Sequence, residues 1–192
     1  MIIVFGGAFN PPTRAHLEAY YAVKKRCAVT QFIFLPVSSA YTKGELASQY
    51  HRLNMLKLLT DGLDDCTISD LEMTDDHFLG TYQSLVRLSD QHQGQTAFVI
   101  GADNLTHIKH WRFATSLLSE FKIIVLNRNQ NDLEKIILAD DFLAQYQASF
   151  ILIDNFHLPL SSTHFRTSFD ASLLTDAVYQ YILTHRLYLK ED

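Results

Sequence analysis

Two side chains stand where their types and spacing could handle phosphate. His16 closes the run Gly6-Gly7-Ala8-Phe9-Asn10-Pro11-Pro12-Thr13-Arg14-Ala15-His16, and Arg166 closes Leu160-Ser161-Ser162-Thr163-His164-Phe165-Arg166. In the first run a glycine pair lets the backbone turn where a side chain would obstruct a close ligand. Thr13 suits the N-cap of a helix that places His16 in its first turn. Unpaired N–H groups point outward at a helix N-terminus and make an anion site. A titratable imidazole in that site points to phosphate chemistry. In the second run Ser161, Ser162 or Thr163 can cap a further helix. Arg166 lies four residues after Ser162, so hydroxyl and guanidinium share a helix face. The planar guanidinium fork can hold two phosphate oxygens at once. A plain strand-to-helix turn with a solvated His16, and a serine cap with a solvated arginine, remain open alternatives. Neither G-x-x-x-x-G-K-S/T nor G-x-G-x-x-G is present, so a P-loop ATPase and a dinucleotide oxidoreductase are disfavoured.

Other candidates are scattered along the chain. Asp103 in Gly101-Ala102-Asp103-Asn104 can accept from a ribose diol or simply cap a helix. Trp111 is the only tryptophan and suits either a stacking platform or a core position. Lys43 stands in a Thr-Lys-Gly turn. His107 and His110 lack a third metal ligand at compatible spacing and read as surface residues, as do His157 and His164. Asp75-Asp76 and Asp140-Asp141 read as solvated turns. Cys27 and Cys66 are isolated, which fits reduced thiols in a cytosolic protein.

These groups need elements that bring them together. Strand-like runs lie at Ile2–Phe5, Phe32–Leu35, Cys66–Leu71, Thr96–Ile100, Lys122–Leu126 and Ser149–Asp154, several of them apolar throughout as in strands covered on both faces. Helical spacing links Leu17, Tyr20 and Tyr21, then Leu46, Tyr50 and Leu53, then Val178, Tyr181 and Ile182. The alternation predicts an α/β fold with a doubly wound parallel sheet, whose ligands bind at the carboxyl ends of the strands. The loops after the first, second, fourth and sixth strands then gather His16, Lys43, Asp103 and Arg166 at one edge. The chain has 192 residues, 47% of them hydrophobic, which predicts one domain over residues 1–192. A formal net charge of -5 argues against a nucleic-acid or anionic-membrane surface. No apolar run spans a bilayer and no signal peptide is evident, so a cytoplasmic protein is expected. Asn127 to Asp132 is the most polar stretch and reads as a surface loop.

The ordered set of motifs resembles a known family. The Gly6-to-His16 run is similar to the first signature of the nucleotidyltransferase superfamily with the H/T-x-G-H motif, and Leu160-to-Arg166 to its I-S-S-T-x-x-R motif. Gly101-Ala102-Asp103-Asn104-Leu105 with Trp111, and the ending Val178-Tyr179-Gln180-Tyr181-Ile182 through Leu187-Tyr188, resemble bacterial nicotinate-nucleotide adenylyltransferases. Tyr50-His51-Arg52-Leu53-Asn54-Met55 and Gly80-Thr81-Tyr82-Gln83-Ser84-Leu85 fall in the same order, so the likeness covers nearly the whole chain.

The resemblance implies a Rossmann-like nucleotidyltransferase fold of three α/β/α layers. It also implies transfer of AMP from ATP to nicotinate mononucleotide, giving nicotinate adenine dinucleotide and pyrophosphate. The substrate phosphate attacks in line without a covalent intermediate, so catalysis is positioning plus charge stabilisation. Carried over, His16 and Arg166 are the catalytic pair. His16 donates to the α-phosphate, while Arg166 with Ser162 and Thr163 holds the β and γ phosphates. Gly6, Gly7, Ala8, Phe9, Asn10 and Thr13 line the ATP turn, with Gly101 and Asp103 at the ribose. Lys43 meets the mononucleotide phosphate and Trp111 stacks on the pyridine. Thr81 and Tyr82 meet the ring carboxylate, mainly through backbone donors. Mg²⁺ is expected on the phosphates, held by them and by water rather than by protein ligands. Nucleic-acid and membrane partners are not expected, and a homo-oligomer is left open. Two departures stand out: Thr13 where most bacterial members have histidine, and Ala15 for the usual glycine. They keep nicotinamide mononucleotide open as the substrate, with a nucleotide-binding paralogue that no longer turns over as the non-enzymatic alternative. The pantetheine-phosphate branch is disfavoured by the Gly-Ala-Asp-Asn and Trp signature.

Overall fold

Strands and helices alternate along the computed structural model, which describes residues 1–38, 46–75, 77–127, 131–154, 156 and 161–189. The strands are β1 (Ile2–Gly7), β2 (Gln31–Pro36), β3 (Cys66–Ile68), β4 (Thr96–Gly101), β5 (Lys122–Leu126) and β6 (Phe150–Ile153). The helices are α1 (Arg14–Arg26), α2 (Gln49–Leu59), α3 (Thr81–Gln91), α4 (Ala102–Leu105) and α5 (Ala114–Glu120). They continue with α6 (Leu133–Leu138), α7 (Asp141–Gln145), α8 (Ser162–Ser168) and α9 (Asp176–Thr184).

The six strands pair in the order β3-β2-β1-β4-β5-β6, every pair parallel. This is the doubly wound sheet that the alternation predicts. Successive strand residues face opposite sides, and that alternation sorts the core into two layers. Ile3, Phe5, Phe32, Phe34 and Val99 pack with Val23 of α1, Leu56 of α2 and Ile182 of α9. Ile2, Val4, Ile33, Phe98 and Val125 pack on the other side with Leu85 of α3, Leu117 of α5 and Ile137 of α6. Helices thus cover both faces, in the three-layer α/β/α arrangement. Strand order reverses between β1 and β4, and ligands of such sheets bind outside the carboxyl ends at that crevice.

Leu46 lies ahead of α2 rather than on its face, and two further expectations change. The third strand ends at Ile68 rather than Leu71, because Ser69 and Asp70 start a turn. The Ser69 side chain accepts from Leu71 N–H at 3.3 Å, and the Asp70 carbonyl from Met73 N–H at 2.8 Å. Asn127 is not a surface residue: it is 2% exposed and pinned by its side chain. Its amide donates to the Asn131 carbonyl at 2.6 Å, and its Oδ1 accepts from Asn131 N–H at 3.0 Å. Among the described residues no helix is long and apolar enough to cross a membrane.

Candidate active site

The end of β1 is shaped for a close ligand. A Cβ at Gly6 would lie 2.9 Å from Phe98 Cζ, so any side chain there would have to displace the Phe98 ring. Phe9 adopts a left-handed φ of 46° and turns its ring inward. That ring packs 5.0 Å from His16 and 5.5 Å from Phe34, centroid to centroid. Asn10 is also buried, and its Oδ1 accepts from Ala47 N–H at 3.0 Å and from Tyr188 O–H at 2.7 Å. Phe9 and Asn10 therefore build the turn from behind, while Gly6, Gly7 and Ala8 line the pocket in front.

Thr13 caps α1 as expected. Its backbone N–H donates to His16 Nδ1 at 2.9 Å, and its Oγ1 lies 2.9 Å from the same nitrogen. A ring nitrogen that accepts an N–H carries no proton, so the neutral imidazole holds its proton on Nε2. The fold thereby presents His16, which lines the pocket, as an Nε2–H donor. Thr13 itself is fully buried behind the imidazole and outside the pocket wall.

The second run comes against the first across the sheet. Ser161 caps α8, its hydroxyl accepting from His164 N–H at 3.0 Å. Ser162 Oγ donates to the Pro11 carbonyl at 2.7 Å, and Arg166 Nη1 to the Asn10 carbonyl at 2.5 Å. Arg166 Nη2 also donates to Thr163 Oγ1 at 3.2 Å. The hydroxyl and guanidinium do share a face, and that face grips the glycine turn. Ser162, Thr163 and Arg166 flank the turn rather than lining the pocket in front of it.

Beneath the same turn lies Arg52, fully buried. It donates to the carbonyls of Ala8 at 2.9 Å, Val37 at 2.8 Å and Ala47 at 3.2 Å. Burial lowers its pKa from the ordinary value. Sequence reasoning gave Arg52 no role, yet a signal existed. It shares one helical stripe with Met55, Leu56 and Leu59, all buried.

The pocket at the switch point holds about 540 Å³, within the usual size of a small-ligand site. Gly6, Gly7, Ala8 and His16 line it together with Thr81, Gly101, Asp103 and Trp111. Trp111 is half-buried and sets its ring 6.2 Å from Phe98 at 75°. Thr81 opens α3 behind Gly80, whose φ of 107° requires glycine. Tyr82 turns elsewhere, its hydroxyl donating to Glu120 Oε1 at 2.9 Å on α5. Lys43 lies outside the described residues, as do Asp76, His157 and Leu160. His107, His110 and His164 are exposed.

Among the wall residues that the sequence did not mark as part of a site are Phe78, Phe98, Arg112 and Glu72. Arg112 adjoins Trp111 and was within reach of inference. Glu72 sits in an acidic turn with no distinguishing signal. It is 5% exposed and accepts from Ser84 O–H at 2.6 Å. Burial pushes its carboxyl above the usual range, Asp75 adds to that, and Ser84 and Arg87 oppose it.

A family model described as cytidylyltransferase-like matches residues 4–168. The chain belongs to the cytidylyltransferase-like family. A curated protein of Acholeplasma laidlawii, named "Probable nicotinate-nucleotide adenylyltransferase", is 31% identical over 98% of this chain and 97% of its own length. A protein of the same name from Caldicellulosiruptor saccharolyticus is 31% identical over 86% of this chain and 84% of its own. At that identity and coverage the chain also belongs to the nicotinate-nucleotide adenylyltransferase family. The fold agrees with that of the Plasmodium falciparum nicotinic acid mononucleotide adenylyltransferase complexed with NaAD. The TM-score is 0.77 at 19% identity, covering 97% of this chain and 96% of that one.

Proposed function

We propose that this protein transfers AMP from ATP to nicotinate mononucleotide, releasing pyrophosphate and nicotinate adenine dinucleotide. One observation carries the reading: a single pocket joins a phosphate turn with an oriented imidazole to a tryptophan beside a helix N-terminus. A nucleoside phosphate and an aromatic mononucleotide can lie end to end there. The relatives' names supply the acid form of the ring.

The mononucleotide phosphate attacks the α-phosphorus of ATP in line, forming a P–O bond as the bond to pyrophosphate breaks. A phosphate dianion needs no general base, so the protein's work is positioning and charge stabilisation. His16 Nε2–H donates to the α-phosphate oxygens as charge develops. Gly6, Gly7 and Ala8 let the phosphates approach the backbone, and Phe9, Asn10 and Thr13 hold that turn and the imidazole in place. Arg166 has five N–H donors; those left beyond Asn10 and Thr163 serve the β and γ phosphates, with Ser162 and Thr163 beside them. Gly101 leaves space for the ribose and Asp103 accepts from its hydroxyls. Trp111 stacks on the pyridine. Thr81 and Tyr82 offer backbone N–H groups at the start of α3 to the ring carboxylate. Lys43 is assigned to the mononucleotide phosphate. Mg²⁺ would arrive on the triphosphate and neutralise its charge, held by phosphate and water. A wall of backbone donors, imidazole and one exposed carboxylate suits a metal bound that way.

The decisive experiment incubates the protein with ATP, Mg²⁺ and either mononucleotide and follows pyrophosphate. Release with a large kcat/KM preference for the acid is expected. Comparable kcat/KM for both would remove the nicotinate assignment, and no release with either would leave a nucleotide-binding protein without turnover.

A further inference from the structure

The carboxyl groups of the pocket wall belong to Asp103 and Glu72. Asp103 is exposed, whereas Glu72 is 5% exposed. Glu72 Oε1 accepts from Ser84 O–H at 2.6 Å, but Oε2 is buried with no hydrogen-bond partner among the described residues. Ser84 lies three residues beyond Thr81 on α3, on the same helix face. The bond therefore holds the carboxyl against the first turn of α3, whose Thr81 lines the same pocket as Gly80 and Trp111. A buried polar atom without a partner is costly, and Glu72 lines the pocket, so a ligand that reaches Oε2 there can supply one.

We infer that Glu72 reads the ring substituent of the mononucleotide: neutral, it donates through Oε2 to a ring carboxylate; ionised, it accepts from a ring amide. This rests on the adenylyltransferase reading above and adds to it a residue and a protonation state. With Oε1 engaged as an acceptor, the proton of the neutral acid belongs on Oε2. Burial favours that neutral form, and Asp75 favours it further, while the Ser84 bond and Arg87 favour ionisation. Arg87 of α3 and Asp75 of the preceding loop pair with each other at 2.7 Å, so their charges on Glu72 largely offset. His16, Asp103 and Arg112 are the other ionisable or charged residues of the wall. An ionised Glu72 beside a substrate carboxylate places two like charges in a desolvated site. Such a repulsive element is one of the ways specificity arises.

The test measures kcat/KM for nicotinate and nicotinamide mononucleotides with saturating ATP and Mg²⁺, from roughly pH 5 to roughly pH 9. Both substrates carry the same phosphate and meet the same His16, so the acid-to-amide ratio isolates the ring end. The ratio is expected to fall about tenfold or more as pH rises, since one pKa unit of differential interaction is a factor of ten. Glu72→Gln keeps an uncharged donor at every pH and holds the ratio flat. Ser84→Ala removes a bond that favours ionisation, so the fall moves to higher pH. A pH-independent ratio in the wild-type protein, or the same fall in Glu72→Gln, overturns the inference while leaving the proposed reaction intact. If Glu72→Gln does not fold, the wild-type profile and the Ser84→Ala shift decide the question. Failure of both mononucleotides to release pyrophosphate overturns the reaction itself, a distinct result.

Discussion

Replacing His16 tests the oriented donor most directly, because the imidazole has two separable duties. Its Nε2–H is the donor proposed for the α-phosphate, and its Nδ1 accepts the Thr13 backbone N–H at 2.9 Å. His16→Ala removes both. Loss of one preorganised donor to a developing oxyanion costs about 10²- to 10³-fold in kcat, or roughly 3–4 kcal/mol. Loss of the acceptor leaves the N–H of fully buried Thr13 unmatched, a penalty of about 1–3 kcal/mol. The low end applies, since His16 stands at the pocket wall and water can enter the space it vacates. About 1 kcal/mol in a chain of this size lowers Tm by roughly 2–4 °C. His16→Gln separates the duties. Glutamine at the third position of a helix can close a capping box onto the N-cap N–H, so stability returns while kcat stays at least about tenfold down. Thermal unfolding and steady-state kinetics on the two variants decide the matter. A kcat for His16→Ala within about threefold of wild type would refute the donor role, a loss far short of that expected for a transition-state contact. A His16→Gln protein no more stable than His16→Ala would refute the capping account of its orientation.

Two further outcomes follow from the same geometry. Trp111→Ala should raise KM for the mononucleotide by roughly 5- to 150-fold, the cost of about 1–3 kcal/mol of ring stacking, with KM for ATP preserved. Equal rises in both KM values would make Trp111 structural. Arg166→Lys keeps the charge but loses the planar fork that joins the Asn10 carbonyl to Thr163. ATP KM should rise and kcat should fall, each about tenfold, on the scale of a charged hydrogen bond. A lysine variant equal to wild type in both would show that only charge matters there.

Much of the fold was legible because its strands are covered on both faces. Ile2–Phe5 and Phe32–Leu35 are apolar at every position and Thr96–Ile100 at all but its first, and each lies within an observed strand. The caps were legible as well, since Thr13 and Ser161 act on groups within three residues of themselves. Arg52 was half-legible, a charge placed in an otherwise apolar helical stripe. Glu72 was not legible, because its meaning depends on Ser84 twelve residues away and on the wall they share. Asn127 misled for a related reason. Its polarity suggested solvent, but its amide satisfies the backbone of its own loop at 2.6 Å and 3.0 Å.

The sequence by itself determined the alternation of strand and helix, the glycine turn after β1 and the place of His16 in the first turn of α1. These depend on periodicity and capping over a few residues. Only the tertiary structure decided that α8 grips the turn from 151 and 156 residues away, through Ser162 and Arg166. It also decided that Arg52 underpins the turn and that Glu72 enters the wall with one oxygen unmatched. Crossovers between parallel strands carry such residues to one edge. Whether a polar side chain then finds water, a partner or an empty pocket depends on how helices pack over both faces of the sheet.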